Sequence, residues 1–559
     1  MTSNEPWWKD AVVYQIYPSS FLDGNGDGTG DIKGIMQGLE HIKSLGADTI
    51  WLSPVYESPM VDMGYDISNY EKINPLYGTL EDMDTLISAC HSKQMKIVMD
   101  LIINHTSDKH AWFLESQSSR DNPKADWYHW HDGRIDANGK RSVPNNWESY
   151  FGGSAWEWCP TREQYYLHMY SVQQPDINWD NLDAREAVYN SAMRFWLDKG
   201  IDGFRIDTMP IYIKPRGYPD APIKNPDSYT QRDGGWEHHP EVFDLHREFY
   251  DKIWSKYGEL LLVGELLNID DKSVALKYCS KSAKRVGMGF QFDTACIGYE
   301  LDWYEVDPWT IPQFAKSIAD WQQFVEGTDG WTCQFLENHD IGRSVDRFGS
   351  RKYWAESAKL LATLEATCSG TLFVFQGQEI GMTNVPKDWP IEEYIDVSSQ
   401  GYWERAGKTP EAMANLQLVA RDNSRTPMQW SGDVHGGFTT GRPWMRVNEN
   451  YVDINVKKQD GDQASVLNYW RRALKLRREY NQVFVHGNFR LLESSQEKVV
   501  IYRKSSNSST ATVVLNFSDE EALEELPEDI GDLVLSNVDS ISTVGRLQPW
   551  EARVYINIR

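Results

Sequence analysis

Eight apolar, strand-like segments alternate with helical segments, four of those strands end in reactive polar side chains, and the alternation gives way near the C-terminus to short strands alone. Together these observations predict an α/β protein: a (β/α)8 TIM barrel with an inserted subdomain after strand 3 and a C-terminal antiparallel β-sandwich domain.

The first predicted strand is Val12 to Tyr17. Ile32, Ile35, Leu39 and Ile42 then recur at helical spacing, and Gly46 supplies a stop. Thr49 to Leu52 is the second strand. Leu80, Met83, Ile87 and Cys90 mark the second helix, and Met95 to Ile103 is the third strand. From His105 to Trp179 the rhythm is lost in segments rich in Trp, Gly, Pro and Asn, such as Pro144 to Trp156, which predicts an inserted subdomain. It resumes with Ile201 to Asp207, Leu260 to Leu266, Gly287 to Asp293, Trp331 to Asp340 and Gly370 to Phe375, the eight strands that close a barrel. After a helix around Val466 to Tyr480, the runs Val499 to Arg503, Thr510 to Phe517 and Ala552 to Ile558 predict an antiparallel domain. The expected organisation is a barrel over 1–104 and 179–482, an inserted subdomain over 105–178 and a β-domain over 483–559. The acidic stretch Asp519 to Asp529 reads as a solvated loop.

The 559 residues are 40% hydrophobic and 25% charged, the mix of a soluble protein with a large core. With 82 acidic against 56 basic side chains, the net charge of −26 repels phosphate backbones and anionic lipids, so nucleic acid and membrane partners are excluded. The 24 Trp and 28 Tyr residues include flat apolar rings of the kind on which sugars pack. Six cysteines without a CxxC pair read as free thiols in a reducing compartment. Met1 to Tyr17 has no apolar leader and no run is long enough to span a membrane, so a cytoplasmic location is expected.

In such a barrel, chemistry sits at the C-terminal ends of the strands. Strand 3 ends in Asp100-Leu-Ile-Ile-Asn104-His105, strand 4 in Gly203-Phe-Arg205-Ile-Asp207, strand 5 in Gly264-Glu265 and strand 7 in Glu337-Asn338-His339-Asp340. A lone carboxylate after a strand is commonly a helix cap, whereas several on one rim suit glycoside hydrolysis. That reaction needs one carboxylate at the anomeric carbon and one carboxylic acid for the leaving oxygen. Arg205, two residues before Asp207, shares its face of the strand and can keep it ionised. Separately, Asp23-Gly-Asn25-Gly-Asp27-Gly-Thr29-Gly-Asp31 sets oxygen side chains at alternate positions in a glycine-rich loop, which suits a hard cation such as calcium.

These motifs resemble the α-amylase family of glycoside hydrolases, within it the maltase, isomaltase and oligo-1,6-glucosidase group, and in particular fungal maltases. The resemblance runs from Trp7 through Pro18 to the C-terminal domain and includes Gln174-Pro-Asp-Ile-Asn178, Phe375 to Gly381 and Arg421 to Trp430. It implies that Asp207 is the nucleophile, Glu265 the acid/base and Asp340 the third carboxylate, with His105 and His339 as hydroxyl-binding histidines. It further implies that Tyr65 lies beneath the terminal glucose and that Asp66 pairs with Arg421 to close the far end of the pocket. Phe151 is the implied wall beside the leaving group, and calcium the implied structural ion of the Asp23 to Asp31 loop.

The resemblance thus implies an exo-acting retaining α-glucosidase. Thr208, after the nucleophile, stands where this group separates α-1,4 preference (Thr) from α-1,6 (Val), which leans toward maltose and sucrose. Leu266-Leu-Asn268 departs from both the maltase and the isomaltase motifs. A rival reading is a sucrose isomerase or trehalose synthase, but the isomerases' arginine-rich loop is not evident in Ile341 to Gly349. A non-catalytic scaffold of this fold would carry a membrane span and lack part of the carboxylate set, whereas all three carboxylates are present.

Overall fold

A computed structural model describes residues 5–135, 137–269, 271–299, 304–539 and 543–558. Eight strands carry the fold: β1 (Val12–Ile16), β2 (Thr49–Leu52), β3 (Lys96–Leu101), β4 (Gly203–Ile206), β5 (Leu261–Leu266), β6 (Met288–Gln291), β7 (Cys333–Gln334) and β8 (Thr371–Phe375). Their order in the sheet is β6-β5-β4-β3-β2-β1-β8-β7, with neighbours in sequence adjacent throughout except at the β1 to β8 pairing. This is the (β/α)8 arrangement expected from the alternation. The chain groups into two compact units, one of Met1–Trp51, Ser88–Lys96 and Phe290–Arg559, the other of Leu52–Ile87 and Ile97–Gly289.

In the second unit β4 runs parallel to β3 and β5, with Arg205 opposite Asp100 on one side and Val263 on the other. Gly203 opens β4 because nothing larger fits: a Cβ there would lie 1.9 Å from the Leu261 carbonyl oxygen. The inserted segment forms a three-stranded sheet from Trp130–His131, Trp156–Cys159 and Gln164–Leu167. Its core of Trp147, Ala155, Trp156, Leu167 and Met169 is completed by Ile211, Ala221 and Trp236 from the long loop after β4. The insertion therefore does not bury its apolar face alone.

In the first unit β1 pairs in parallel with β8, and β7 with β8. The helix Ile32–Leu45 begins where the Asp31 carboxylate accepts the Gly34 N–H at 2.6 Å and ends at Gly46, left-handed at φ 112°. Strand seven is shorter than the Trp331 to Asp340 run implies. Beyond Gln334 side chains compete for the backbone: Asn338 Oδ1 accepts the Asp340 N–H (2.8 Å) and Glu337 accepts both the N–H and hydroxyl of Ser344 (2.8 and 2.6 Å). The C-terminal domain is a five-stranded antiparallel sheet faced by a two-stranded ribbon, Ala522–Leu523 with Arg546–Leu547. Val499, Ile501, Val514, Ile530, Leu547 and Tyr555 are buried between the two layers. The six cysteines are free thiols.

Candidate active site

In the unit of β3, β4 and β5, one guanidinium organises three carboxylates. Arg205 donates from Nη1 to Asp100 Oδ1 (2.9 Å) and Asp207 Oδ1 (2.5 Å), and its Nη2 lies 3.2 Å from Glu265 Oε2. All four side chains are buried. Arg205 and Asp207 share a strand face by the two-residue period, and Asp100 is Arg205's direct neighbour across the ladder, so strand geometry alone brings them together. Burial pushes the Asp100 carboxyl up to about 6, while Arg205 and the Tyr65 hydroxyl pull it down and Glu265 adds to the rise. The Tyr65 hydroxyl donates to Asp100 Oδ2 at 3.0 Å.

Thr208 links the two carboxylates that the sequence singles out as reactive. Its N–H donates to Glu265 Oε2 (2.9 Å) and its hydroxyl lies 3.3 Å from Asp207 Oδ2. To do this it takes a left-handed conformation, φ 42°, ψ 37°, which costs a β-branched residue about 1–3 kcal/mol. The hydroxyl is thus engaged with the neighbouring carboxylate.

His105, after β3, is neutral. Burial drives its imidazole down to about 4, Asp176 and the Tyr65 carbonyl oppose that, and Lys214 adds to it. Its ring packs against Tyr170 (centroids 5.3 Å apart), which stacks on Tyr150 (5.1 Å) and meets Phe151 edge-on (5.5 Å). Asp66 is fully buried and committed to its own loop, accepting from the Ser58 hydroxyl and the N–H groups of Val61 and Asp62, each at 3.0 Å.

The unit of β1, β7 and β8 holds the remaining predicted residues. Asp340 Oδ1 accepts from Arg425 Nη2 (3.0 Å) and Arg421 Nη1 (3.3 Å), and Oδ2 lies 3.2 Å from His339 Nε2. Gln15 Nε2 approaches His339 Nδ1 at 2.8 Å. An amide nitrogen can only donate, which assigns the His339 proton to Nε2, facing Asp340. Within this unit Arg421 Nε and Nη2 also grip Asp396 at 3.0 and 2.8 Å, beside its bond to Asp340. Asp396 also takes Arg425 Nη1 at 2.7 Å. Burial alone would raise the Asp396 carboxyl, but Arg421 and Arg425 outweigh it and hold it below the usual range. Adjacent Asp422 moves the other way: burial first, then the Asp396 charge, push it up to about 6.

The Asp23 to Asp31 loop is held by its own side chains. Asp23 Oδ1 accepts the N–H of Asn25 and Gly26, Asn25 Oδ1 that of Asp27, and Asp27 Oδ1 that of Thr29 (2.6–3.0 Å). Asp31 Oδ1 caps the following helix, while its buried Oδ2 has no hydrogen-bond partner. Among the described residues no group of three or more His, Cys, Asp or Glu side chains is arranged to hold a metal ion, and no helix is long and apolar enough to cross a membrane.

The sequence assigned no role to Asp396, Arg425, Gln15 or Lys214. Arg425 lies inside the Arg421 to Trp430 motif, so its place was signalled, whereas Asp396 reads as an ordinary N-cap of the helix Val397–Arg405.

Known proteins match this architecture along its whole length. The alpha-amylase catalytic domain matches residues 15–487. An alpha-glucosidase of Candida albicans is 46% identical, the alignment covering 99% of this chain and 100% of that protein. An oligo-1,6-glucosidase of Parageobacillus thermoglucosidasius is 42% identical, covering 98% of each. Among solved structures, trehalulose synthase from Pseudomonas mesoacidophila superposes with a TM-score of 0.91 at 38% identity, covering all of both chains. Isomaltulose synthase from Erwinia rhapontici with sucrose bound gives 0.91 at 38%, covering 99% of this chain and 100% of that one.

Asp396 supplies the charge that both Arg421 and Arg425 lean on. Asp396→Asn is expected to destabilise the protein by about 3–5 kcal/mol, the usual result of removing one partner from a buried ion pair. Urea unfolding followed by tryptophan fluorescence checks this, and an unchanged midpoint would mean that Asp340 neutralises both arginines unaided.

Proposed function

Because the chain belongs to the alpha-amylase family, we propose that it is an exo-acting retaining α-glucosidase that releases terminal glucose from short α-glucosides, favouring maltose-type α-1,4 linkages and sucrose. The observation that carries this reading is the pair Asp207 and Glu265, buried, bound to one guanidinium and linked through Thr208.

Asp207, kept ionised by Arg205, attacks the anomeric carbon. Glu265 protonates the leaving oxygen, then takes a proton from the water that cleaves the glucosyl ester. Asp340, His105 and His339 bind glucose hydroxyls, the two histidines as donors through Nε2–H, and Tyr65 provides the ring beneath the sugar. Asp66 and Arg421 close the far end against the outer hydroxyls, so that only chain ends react. Phe151 walls the leaving-group side. Thr208 gives the acceptor side its α-1,4 preference.

The likeness to two sucrose-converting synthases favours a second reading, transfer of the glucosyl unit back to fructose. Hydrolysis is preferred because the arginines of the loop 341–349 are committed elsewhere. Arg343 donates to Glu337 (3.1 Å) and to the carbonyls of Gln376 and Ser424 (2.8 and 3.0 Å), and Arg347 lies 3.8 Å over the Tyr299 ring.

Calcium in the Asp23 to Asp31 loop is part of the same proposal, with side-chain oxygens of Asp23, Asn25, Asp27 and Asp31 and an oxygen of Thr29 as its donors. Support comes from the unpartnered Asp31 Oδ2 and from the Asp31 carboxyl itself, raised by burial and, beyond its two backbone amides, by the charges of Asp23 and Asp27. A divalent cation would relieve both and stiffen the loop ahead of the helix. The free thiols support a reducing, cytoplasmic location.

Two measurements test these readings. Products from maltose, isomaltose and sucrose, followed by proton NMR, should show α-glucose first, free fructose from sucrose, and a higher kcat/KM for maltose than isomaltose. Thr208→Val should lower the maltose to isomaltose ratio by the equivalent of about 1–3 kcal/mol. Initial β-glucose, or an isomer of sucrose as main product, would contradict the assignment. For calcium, a chelator should lower the melting temperature and added calcium restore it; identical melting curves after prolonged dialysis against chelator would remove the ion from the account.

A further inference from the structure

Lys214 lies in the loop after β4 and is buried with its ammonium fully occupied. Nζ donates to the Ile211 carbonyl (2.6 Å), Asp176 Oδ2 (2.8 Å) and Asn104 Oδ1 (3.0 Å), using all three of its hydrogens. The three acceptors come from separate segments: the turn behind Asp207, the Gln174 to Asn178 motif, and the end of β3. Asp176 also accepts from the Met169 N–H (2.9 Å) and Asn104 Nδ2 (3.1 Å).

The consequence falls on His105. With Asn104 Oδ1 facing an ammonium and Nδ2 facing a carboxylate, the amide has one permitted orientation, since a flip would oppose donor to donor and acceptor to acceptor. Asn104 Nδ2 therefore points at His105 Nδ1 (3.2 Å), making that nitrogen an acceptor and placing the ring proton on Nε2, 3.1 Å from the Tyr65 carbonyl oxygen. We propose that Lys214 is a positioning residue, which through Asn104 and Asp176 locks His105 as a neutral Nε2–H donor and ties it to the turn that carries the nucleophile. This rests on the glucosidase reading for what His105 binds, but not for the lock itself.

The groups facing His105 set the direction of its response. Asp176 is the near anion, Lys214 the near cation and Tyr170 offers its ring; Gln174 Nε2, which donates to Asp62 Oδ2 (3.0 Å), also lies 3.1 Å from Nε2 but as a donor cannot take the ring proton, so the Tyr65 carbonyl is its acceptor. Removing Lys214 leaves Asp176 uncompensated, so the imidazole gains a proton more readily. His105 protonation then spreads into the pH range where the native ring stays neutral.

The test uses the full-length protein labelled with 15N-histidine. In the wild type the His105 nitrogens should show an unprotonated Nδ1 and a protonated Nε2 from pH 5.5 to 8 without titrating. In Lys214→Met they should titrate within that range, and kcat/KM for maltose should fall about 100-fold, more steeply at pH 5.5 than at pH 7.5. Asp176→Asn combined with Lys214→Met removes both charges and should recover at least about tenfold of the loss and flatten the pH dependence. A wild-type His105 protonated on Nδ1 would overturn the lock, as would a Lys214→Met protein with unchanged histidine signals and a uniform loss across pH. A wild type that shows the predicted tautomer but hydrolyses no glucoside would instead overturn the glucosidase reading and leave the lock standing.

Discussion

The ends of β3, β4 and β5 depend on one guanidinium, that of Arg205. Buried among Asp100, Asp207 and Glu265, it is the cation that three anions share, and its place is dictated by the parallel register that sets Arg205 beside Asp100. A buried carboxylate without a partner costs several kcal/mol, so the strand ends tolerate this density of charge only while the arginine remains. The crowding of charge is felt at Asp100, whose carboxyl burial pushes up to about 6 in spite of the arginine beside it.

The other unit solves the same problem with a different ratio. Asp340 and Asp396 face Arg421 and Arg425, two anions on two cations, and the balance lets Asp396 stay ionised at full burial while Asp422, outside the pairing, is pushed toward its neutral form. Amide side chains then fix the histidines. Gln15 does for His339 what Asn104 does for His105, each presenting an N–H to Nδ1 and leaving Nε2 as the donor.

Much of this was legible in the sequence because buried parallel strands write themselves as continuous apolar runs ended by polar residues. Val12 to Tyr17, Thr49 to Leu52 and Gly370 to Phe375 correspond to strands within a residue at each end. Asp31 and Gly46 bracket their helix as capping preferences require. Strand seven ends at Gln334, short of the run Trp331 to Asp340, because Asn338 and Glu337 spend their oxygens on nearby N–H groups, which an apolar-polar run does not reveal. Asp396 and Lys214 were invisible for a different reason: a charged residue in a loop is ordinarily solvated, and only the packed chain shows it buried with partners distant in sequence. Arg421 was legible from its motif, but its bonds to Asp340 and Asp396 were not, because both carboxylates stand far from it in sequence.

As the nucleophile of a retaining hydrolase, Asp207 would form a covalent glucosyl ester. The direct measurement is to trap that ester with 5-fluoro-α-glucosyl fluoride, whose electron-withdrawing fluorine slows the second step, and to map the adduct by peptide mass spectrometry. One glucosyl group per chain is expected on the peptide containing Asp207, with Asp207→Asn unlabelled. Label on Glu265 or Asp340, or turnover of the natural substrate by Asp207→Asn, would contradict it.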